Sequence, residues 1–191
     1  MTHGPGQSPP LGAPARGPGQ SPPGITVRPY RPADHNACRR LWAELVEHRG
    51  ELYGRADGAD DGGVGFEEYL TRLDLSGIWV AHSDRDGVVG FVGLRLDGRA
   101  GAVDPVVVTR DQRGRGIGRA LLTTVAAEAR RRGLSLLTIS PSARDHAALR
   151  SLRAAGFGSV SSVTLAYALT RSGRSGGHEE PLELYDLRFH S

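Results

Sequence analysis

Val103-Asp104-Pro105-Val106-Val107-Val108, followed after a short polar turn by Arg113-Gly114-Arg115-Gly116-Ile117-Gly118-Arg119, is the stretch on which the reading of this chain turns. The valine run is strand-like, and residues 120–132 repeat apolar side chains at helical spacing. A glycine-rich turn between a strand and a helix is an anion site. Without side chains at Gly114, Gly116 and Gly118, a phosphate approaches the backbone closely and meets unpaired N–H groups at the positive end of the helix dipole. Arg113, Arg115 and Arg119 add charge and forked donors.

Spacing sorts the phosphate-binding patterns. A dinucleotide fingerprint needs G-x-G-x-x-G, but the third glycine falls one residue early, at Gly118, and position 119 is Arg. It also wants an acid about 20 residues on, where the chain has Leu137, Thr138 and Ile139. A P-loop ends in Gly-Lys-Ser/Thr, and the chain has no lysine.

The spacing that fits is Arg113-x-x-Gly116-x-Gly118, which resembles the acyl-CoA pyrophosphate motif (Q/R-x-x-G-x-G/A) of the GCN5-related N-acetyltransferase (GNAT) family. The resemblance runs from about Thr26 to Leu187. Ile25-Thr26-Val27-Arg28-Pro29-Tyr30 and then Pro32-Ala33-Asp34 look like the family's first strand and the start of its first helix. Ile78-Trp79-Val80-Ala81, a turn at 84–87 and Val88-Val89-Gly90-Phe91-Val92-Gly93-Leu94 look like its second and third strands. Leu136-Leu137-Thr138-Ile139-Ser140 looks like the fifth, and Asp145-x-x-Ala148 to Gly156-Phe157 resembles the family's N-x-x-A…GF helix.

Composition sets limits around this. A chain of 191 residues holds one domain with a sizeable core. The net charge is +3, but residues 110–133 carry seven arginines against Asp111 and Glu128, a local +5. Such a patch suits nucleic acid, yet few aromatics accompany it, and a phosphate-bearing cofactor explains it more economically. One cysteine, Cys38, excludes an internal disulfide and suits a reducing compartment. No apolar run reaches the about 20 residues of a membrane span, and the N-terminus lacks a signal pattern, so the expectation is a cytoplasmic protein without membrane or nucleic-acid partners.

Residues 1–24 read as a disordered tail: Gly4-Pro5-Gly6-Gln7-Ser8-Pro9-Pro10 recurs at 17–23, and such a composition buries no core. The domain then spans 25–191. Asp34 is expected to cap a helix from His35 to about Arg49, with Cys38, Leu41, Trp42, Leu45 and Val46 on its buried face. Residues 50–65 read as a glycine-rich acidic loop before a second helix at 66–73. The core stripe of the helix after the glycine turn is Ile117, Leu121, Leu122, Val125, Ala126 and Ala129, and Gly133 ends it. Two strands are expected after the last helix, at 160–169 and 182–189. The order is β-α-α-β-β-β-α-β-α-β-β, which the resemblance implies for a mixed, mostly antiparallel central sheet flanked by helices, an α/β fold.

The resemblance also implies the chemistry: an amine attacks the thioester of acetyl-CoA directly, and the enzyme supplies register, a route for the amine's proton and stabilisation of the thiolate. Main-chain groups of Val106, Val107 and Val108 would hold the pantetheine arm, and N–H groups from Arg113, Gly114, Arg115, Gly116, Ile117, Gly118 and Arg119 the pyrophosphate. Pro105 marks either an edge strand or the family's splay between its fourth and fifth strands. Asp104 stands where many relatives carry a glutamate, so it reads as the base, working through water because it is short, or as a plain exposed carboxylate. Glu44 and His48 share one side of the first helix and face either the acceptor or solvent. Tyr53 lies at a loop that covers substrates in similar proteins. Asp57, Asp60 and Asp61 miss the EF-hand spacing, so no metal is expected.

Two departures stand out. Where many members have a tyrosine that protonates the leaving thiolate, seven residues after the asparagine, this chain has Leu152; Tyr167 is a distant substitute. Asp145 replaces the asparagine itself, as a helix cap or as a cofactor contact, and His146 beside it reads as a solvated residue. Three readings follow: an acetyl-CoA-dependent N-acetyltransferase acting on a primary amine of a small molecule or an amino terminus, in a chain whose relatives are often homodimers; a non-catalytic acyl-CoA-binding module; and a nucleic-acid-binding protein.

Overall fold

The computed structural model describes residues 21–53, 63–73, 75–165, 182–184 and 187–189. Five strands form one sheet in the order β1 (Ile25–Pro29), β2 (Ile78–Ser83), β3 (Gly87–Asp97), β4 (Ala100–Val108) and β5 (Leu136–Ile139). Every pair is antiparallel except β4–β5, which is parallel because α3 (Ile117–Arg131) crosses over between them. Two helices, α1 (His35–Leu52) and α2 (Val64–Thr71), come between β1 and β2, and α4 (His146–Ala154) follows β5. The short strands β6 (Leu182–Leu184) and β7 (Leu187–Phe189) pair only with each other. The element order through α4 and the mostly antiparallel mixed sheet are those expected.

Side-chain alternation along the central strands splits the interior into two cores. Ile78, Val80, Phe91 and Val107 point to one face and pack against Cys38 and Leu41 of α1 and Phe66 and Tyr69 of α2. Trp79, Ala81, Val89, Val92, Leu94 and Val103 point to the other and meet Ile117, Leu121, Leu122 and Val125 of α3 and Leu152 of α4. The α3 stripe is the expected one, with Ala120 buried and Ala126 only partly so. At the end of α4, Gly156 takes φ +105°, the amide of Phe157 donates to the Leu152 carbonyl at 3.1 Å, and the Phe157 ring turns back onto the core. That is the physical content of the Gly-Phe pair.

Three expectations change. Asp34 precedes α1 but gives its helix no side-chain cap. Its carboxylate, buried at 6 % exposure, takes both Arg28 guanidinium nitrogens at 2.7 and 2.8 Å and the Arg31 amide at 2.8 Å, so it clamps β1 to the turn that starts the helix. No strand forms over 160–165, where Val160, Val163 and Leu165 are exposed; 166–169 lie outside the described residues, as do 1–20 of the expected tail and 54–62 of the expected acidic loop. An apolar alternation names a strand but not a partner, and without one the ladder does not form. The segment 182–189 holds two short paired strands rather than one. No helix among the described residues is long and apolar enough to cross a membrane.

Candidate active site

The site begins where the sheet comes apart. Val92 pairs with Val106 and Leu94 with Val103, so Asp104 and Pro105 together oppose the single residue Gly93, a β-bulge in β4. On the other side, β4 pairs with β5 only from Ala100 to Val103, where Val103 meets Ile139. Pro105, which has no N–H to donate, therefore marks both the bulge and the end of the β4–β5 ladder, and the edge-strand reading fails because β4 lies between two partners. Beyond Val103 the β5-facing main chain of Val106 to Val108 opens into the splay, while the Val107 side chain is buried under α1 and α2 and those of Val106 and Val108 pack toward α3.

At the top of β4 the chain turns through Arg110–Gln112 into the glycine loop. Gly114 and Gly116 hold φ of +75° and +87°, a region that costs an L side chain but not glycine, and Gly116 is the N-cap of α3. The first helical bond runs from Ala120 N–H to the Gly116 carbonyl at 3.0 Å, and the amides of Gly114 to Arg119 donate to no group among the described residues. A Cβ on Gly114 would meet nothing within 4 Å, and one on Gly118 only Val108 Cγ2 at 3.7 Å. Gly118 lacks a positive φ, so its missing side chain serves close approach rather than the turn. The side chain of Arg113 donates through Nε to the Val108 carbonyl at 3.0 Å, tying loop to strand.

The local charge is more focused than composition suggests. Arg131 and Arg132 hold Glu128 at a pKa of about 2, and Arg132 also reaches the Ser76 carbonyl and lies over the Trp79 ring. Arg110 is paired with Glu51 at 3.1 Å and Glu47 at 3.7 Å. Within residues 110–133, Arg113, Arg115, Arg119 and Arg130 make no ion pair among the described residues, so most of the free positive charge of this stretch stands at the glycine loop.

Helix α1 braces this loop and the far side of the splay. Glu44 accepts from Thr109 Oγ1 at 2.8 Å and from the Arg110 amide at 3.0 Å. His48 Nε2 lies 3.0 Å from Asp145 Oδ2, while Asp145 Oδ1 caps α4 by accepting from the Ala148 amide at 2.9 Å. Glu44 and His48 are thus struts and not a solvated pair. Burial alone would raise the Asp145 carboxyl, but the Ala148 amide, His48 and the Arg113 charge together hold it below its ordinary value. Tyr53 hydrogen-bonds Ser142 at 3.0 Å and lies under the Arg144 guanidinium, so it belongs to the same brace. His146 is exposed, as expected.

Asp104 is exposed at the bulge, and its charge reaches Tyr69 of α2. Tyr69 drew no attention in the sequence, because an aromatic three residues after Phe66 on a short helix reads as core. Leu152 is buried in the α3-side core, which puts no acid at that position. Tyr167, Asp57, Asp60 and Asp61 lie outside the described residues. Cys38 is fully buried, and burial pushes its thiol up to about 12. A thiol reagent is expected to leave the native protein unmodified and to react once guanidinium unfolds it; native labelling at the rate of a free thiol would contradict this.

Comparison with known proteins agrees with this geometry. Residues 33–157 match the acetyltransferase (GNAT) family. A mycothiol acetyltransferase of Cellulomonas flavigena is 33 % identical over 173 residues, covering 84 % of this chain but 47 % of that protein, so the chain spans about half the length of this curated relative. Among solved structures, a transcriptional regulator from Bacillus halodurans aligns with a TM-score of 0.56 at 21 % identity, over 75 % of this chain and 99 % of that one. An aminoglycoside N-acetyltransferase in complex with CoA aligns with a TM-score of 0.54 at 16 % identity, over 76 % and 95 %. At those identities the two structures speak for the fold alone, but the family match covers most of the chain, and with the splayed β4–β5 pair and the glycine loop in place, this chain belongs to the acetyltransferase (GNAT) family.

Proposed function

We propose that the chain transfers an acetyl group from acetyl-CoA to a primary amine of a small molecule or an amino terminus. The observation that carries this reading is the row of amides from Gly114 to Arg119, unpartnered among the described residues, at the mouth of the β4–β5 splay. When bound, acetyl-CoA supplies an activated acetyl thioester. The residues fit it: the amides of Gly114 to Arg119, with Arg115 and Arg119 beside them, form a cradle for pyrophosphate, and the opened main chain of Val106 to Val108 offers hydrogen bonds to an amide-bearing arm. Arg113 is held against the strand by Val108, so its contribution is loop position. The name of the curated relative supports acetyl transfer as the reaction class.

Asp104 takes the amine's proton in this reading. It is the carboxylate at the bulge, where the splay meets the face under α1 and α2. Asp104→Asn is expected to lower turnover by roughly 10²-fold, measured as CoA release with a panel of primary amines, with little change in acetyl-CoA affinity. Full turnover in that variant would remove Asp104 from the mechanism. A non-catalytic acyl-CoA-binding module is the second reading, favoured by the buried Leu152. It predicts tight CoA binding and no CoA release with any amine. A nucleic-acid role for the arginines instead predicts salt-dependent binding that CoA does not displace.

A further inference from the structure

Both ring nitrogens of His48 face carboxylates. Nε2 lies 3.0 Å from Asp145 Oδ2 and Nδ1 lies 3.7 Å from Glu51 Oε2, and the side chains of His48 and Asp145 are only 26 % and 19 % exposed. A neutral imidazole has one N–H and one lone pair, so it must turn the lone pair toward one of these acids, whereas an imidazolium donates to both. The site has the geometry of the charged ring. The other charged groups around it are engaged elsewhere or belong to the same rim. Glu44, one turn back on α1, accepts from Thr109 and the Arg110 amide; Arg110 pairs with Glu51; and Arg144 donates to the Leu52 carbonyl. His146, next to Asp145, is exposed.

Asp145 stands at the rim of the splay. It follows closely on β5, and its carboxylate feels the charge of Arg113, which is bound to the Val108 carbonyl at the end of β4. One carboxylate oxygen caps α4 and the other meets His48. Where the resembled motif has a neutral asparagine, this chain therefore carries a charge, and an uncompensated carboxylate at that rim opposes the entry of a polyanion such as acetyl-CoA. We propose that protonated His48 is a positioning residue of the donor site: it cancels the Asp145 charge and holds the start of α4 against α1, so that the donor binds more tightly at low pH than at high. The proposal rests on the donor reading above. Histidine changes charge between about pH 5 and 8, whereas the Asp145 carboxyl, held below its ordinary value, is ionised throughout that range. As pH rises the imidazolium is lost, the Asp145 charge is uncovered, and donor affinity falls.

The test is calorimetric titration with coenzyme A lacking its 3′-phosphate, whose pyrophosphate keeps a constant charge between about pH 5.5 and 8.5. Over that range the wild-type Kd is expected to rise about 5- to 10-fold. His48→Gln should be flat with pH and as weak throughout as the wild type at the alkaline end. Adding Asp145→Asn to His48→Gln should restore the affinity of the wild type at the acid end, still flat, because the amide keeps the cap and removes the charge. His146→Gln should keep the wild-type slope. A wild-type change below about twofold, a slope that survives His48→Gln or vanishes in His146→Gln, or a double variant as weak as His48→Gln overturns the proposal and leaves the donor reading standing. No binding by the wild type at any pH overturns the donor reading itself.

Discussion

Gly116→Val is expected to weaken acetyl-CoA binding about 10³-fold while leaving the sheet intact. The cause is conformation, not space. Gly116 has φ +87° and ψ 3°, and a Cβ there would meet only Pro22 Cγ, at an ordinary 3.7 Å. A β-branched residue in that region is a genuine outlier, with strain of about 1–3 kcal/mol. The chain relieves it by leaving the left-handed conformation, and the amides of Gly114 to Arg119 then no longer converge. Losing two charge-assisted hydrogen bonds at roughly 1.5–3 kcal/mol each removes about 3–6 kcal/mol, which brackets 10³-fold. Titration calorimetry with CoA measures it. Gly118→Ala is the companion, because that position needs no positive φ; it should keep native stability and still lose affinity through the blocked approach. Unchanged binding in Gly116→Val would show that the loop is not the cradle.

Asp34→Ala is expected to destabilise the protein by about 1.5–3 kcal/mol in urea unfolding, because it leaves the half-buried Arg28 guanidinium and the Arg31 amide without the carboxylate they donate to. The Arg28 guanidinium and the Arg31 amide hold the Asp34 carboxyl below its ordinary value of 3.8. A carboxyl depressed in the folded state contributes stability that is fully present above the unfolded value and lost as pH falls through the folded one. The wild-type protein should therefore lose stability below about pH 4. Asp34→Ala should be flatter in that window and start from a lower plateau. Parallel acid limbs in the two proteins would mean that the clamp is not formed.

Local features of the site were legible in the sequence and long-range ones were not. The glycine loop was readable because positive φ and close approach leave a residue-type signature, and Pro105 announced an interruption because it cannot donate to a ladder. Whether Pro105 meant an edge or a splay depended on a neighbour, β5, about thirty residues away in sequence. His48 and Asp145 are 97 positions apart, and Glu44 and Thr109 are 65 apart, so no local pattern joins them. Asp34 looked like a cap because caps and clamps use the same residue types, and the partner on β1 decides between them.

The donor side of the proposed site is built mostly of main chain, and this shapes how the protein tolerates substitution over time. Val106, Val107 and Val108 face the splay with backbone and pack with side chains, so exchange among aliphatic residues of similar volume disturbs packing modestly and leaves the groups that would meet acetyl-CoA where they are. In the proposed cradle, the positions most sensitive to a single change are Gly114, Gly116 and Gly118, a small target for drift. In the proposed function the acceptor side falls to side chains around Asp104, exposed at the β4 bulge. On that reading, descendants of such a chain can explore new amines at the bulge while keeping the same donor cradle.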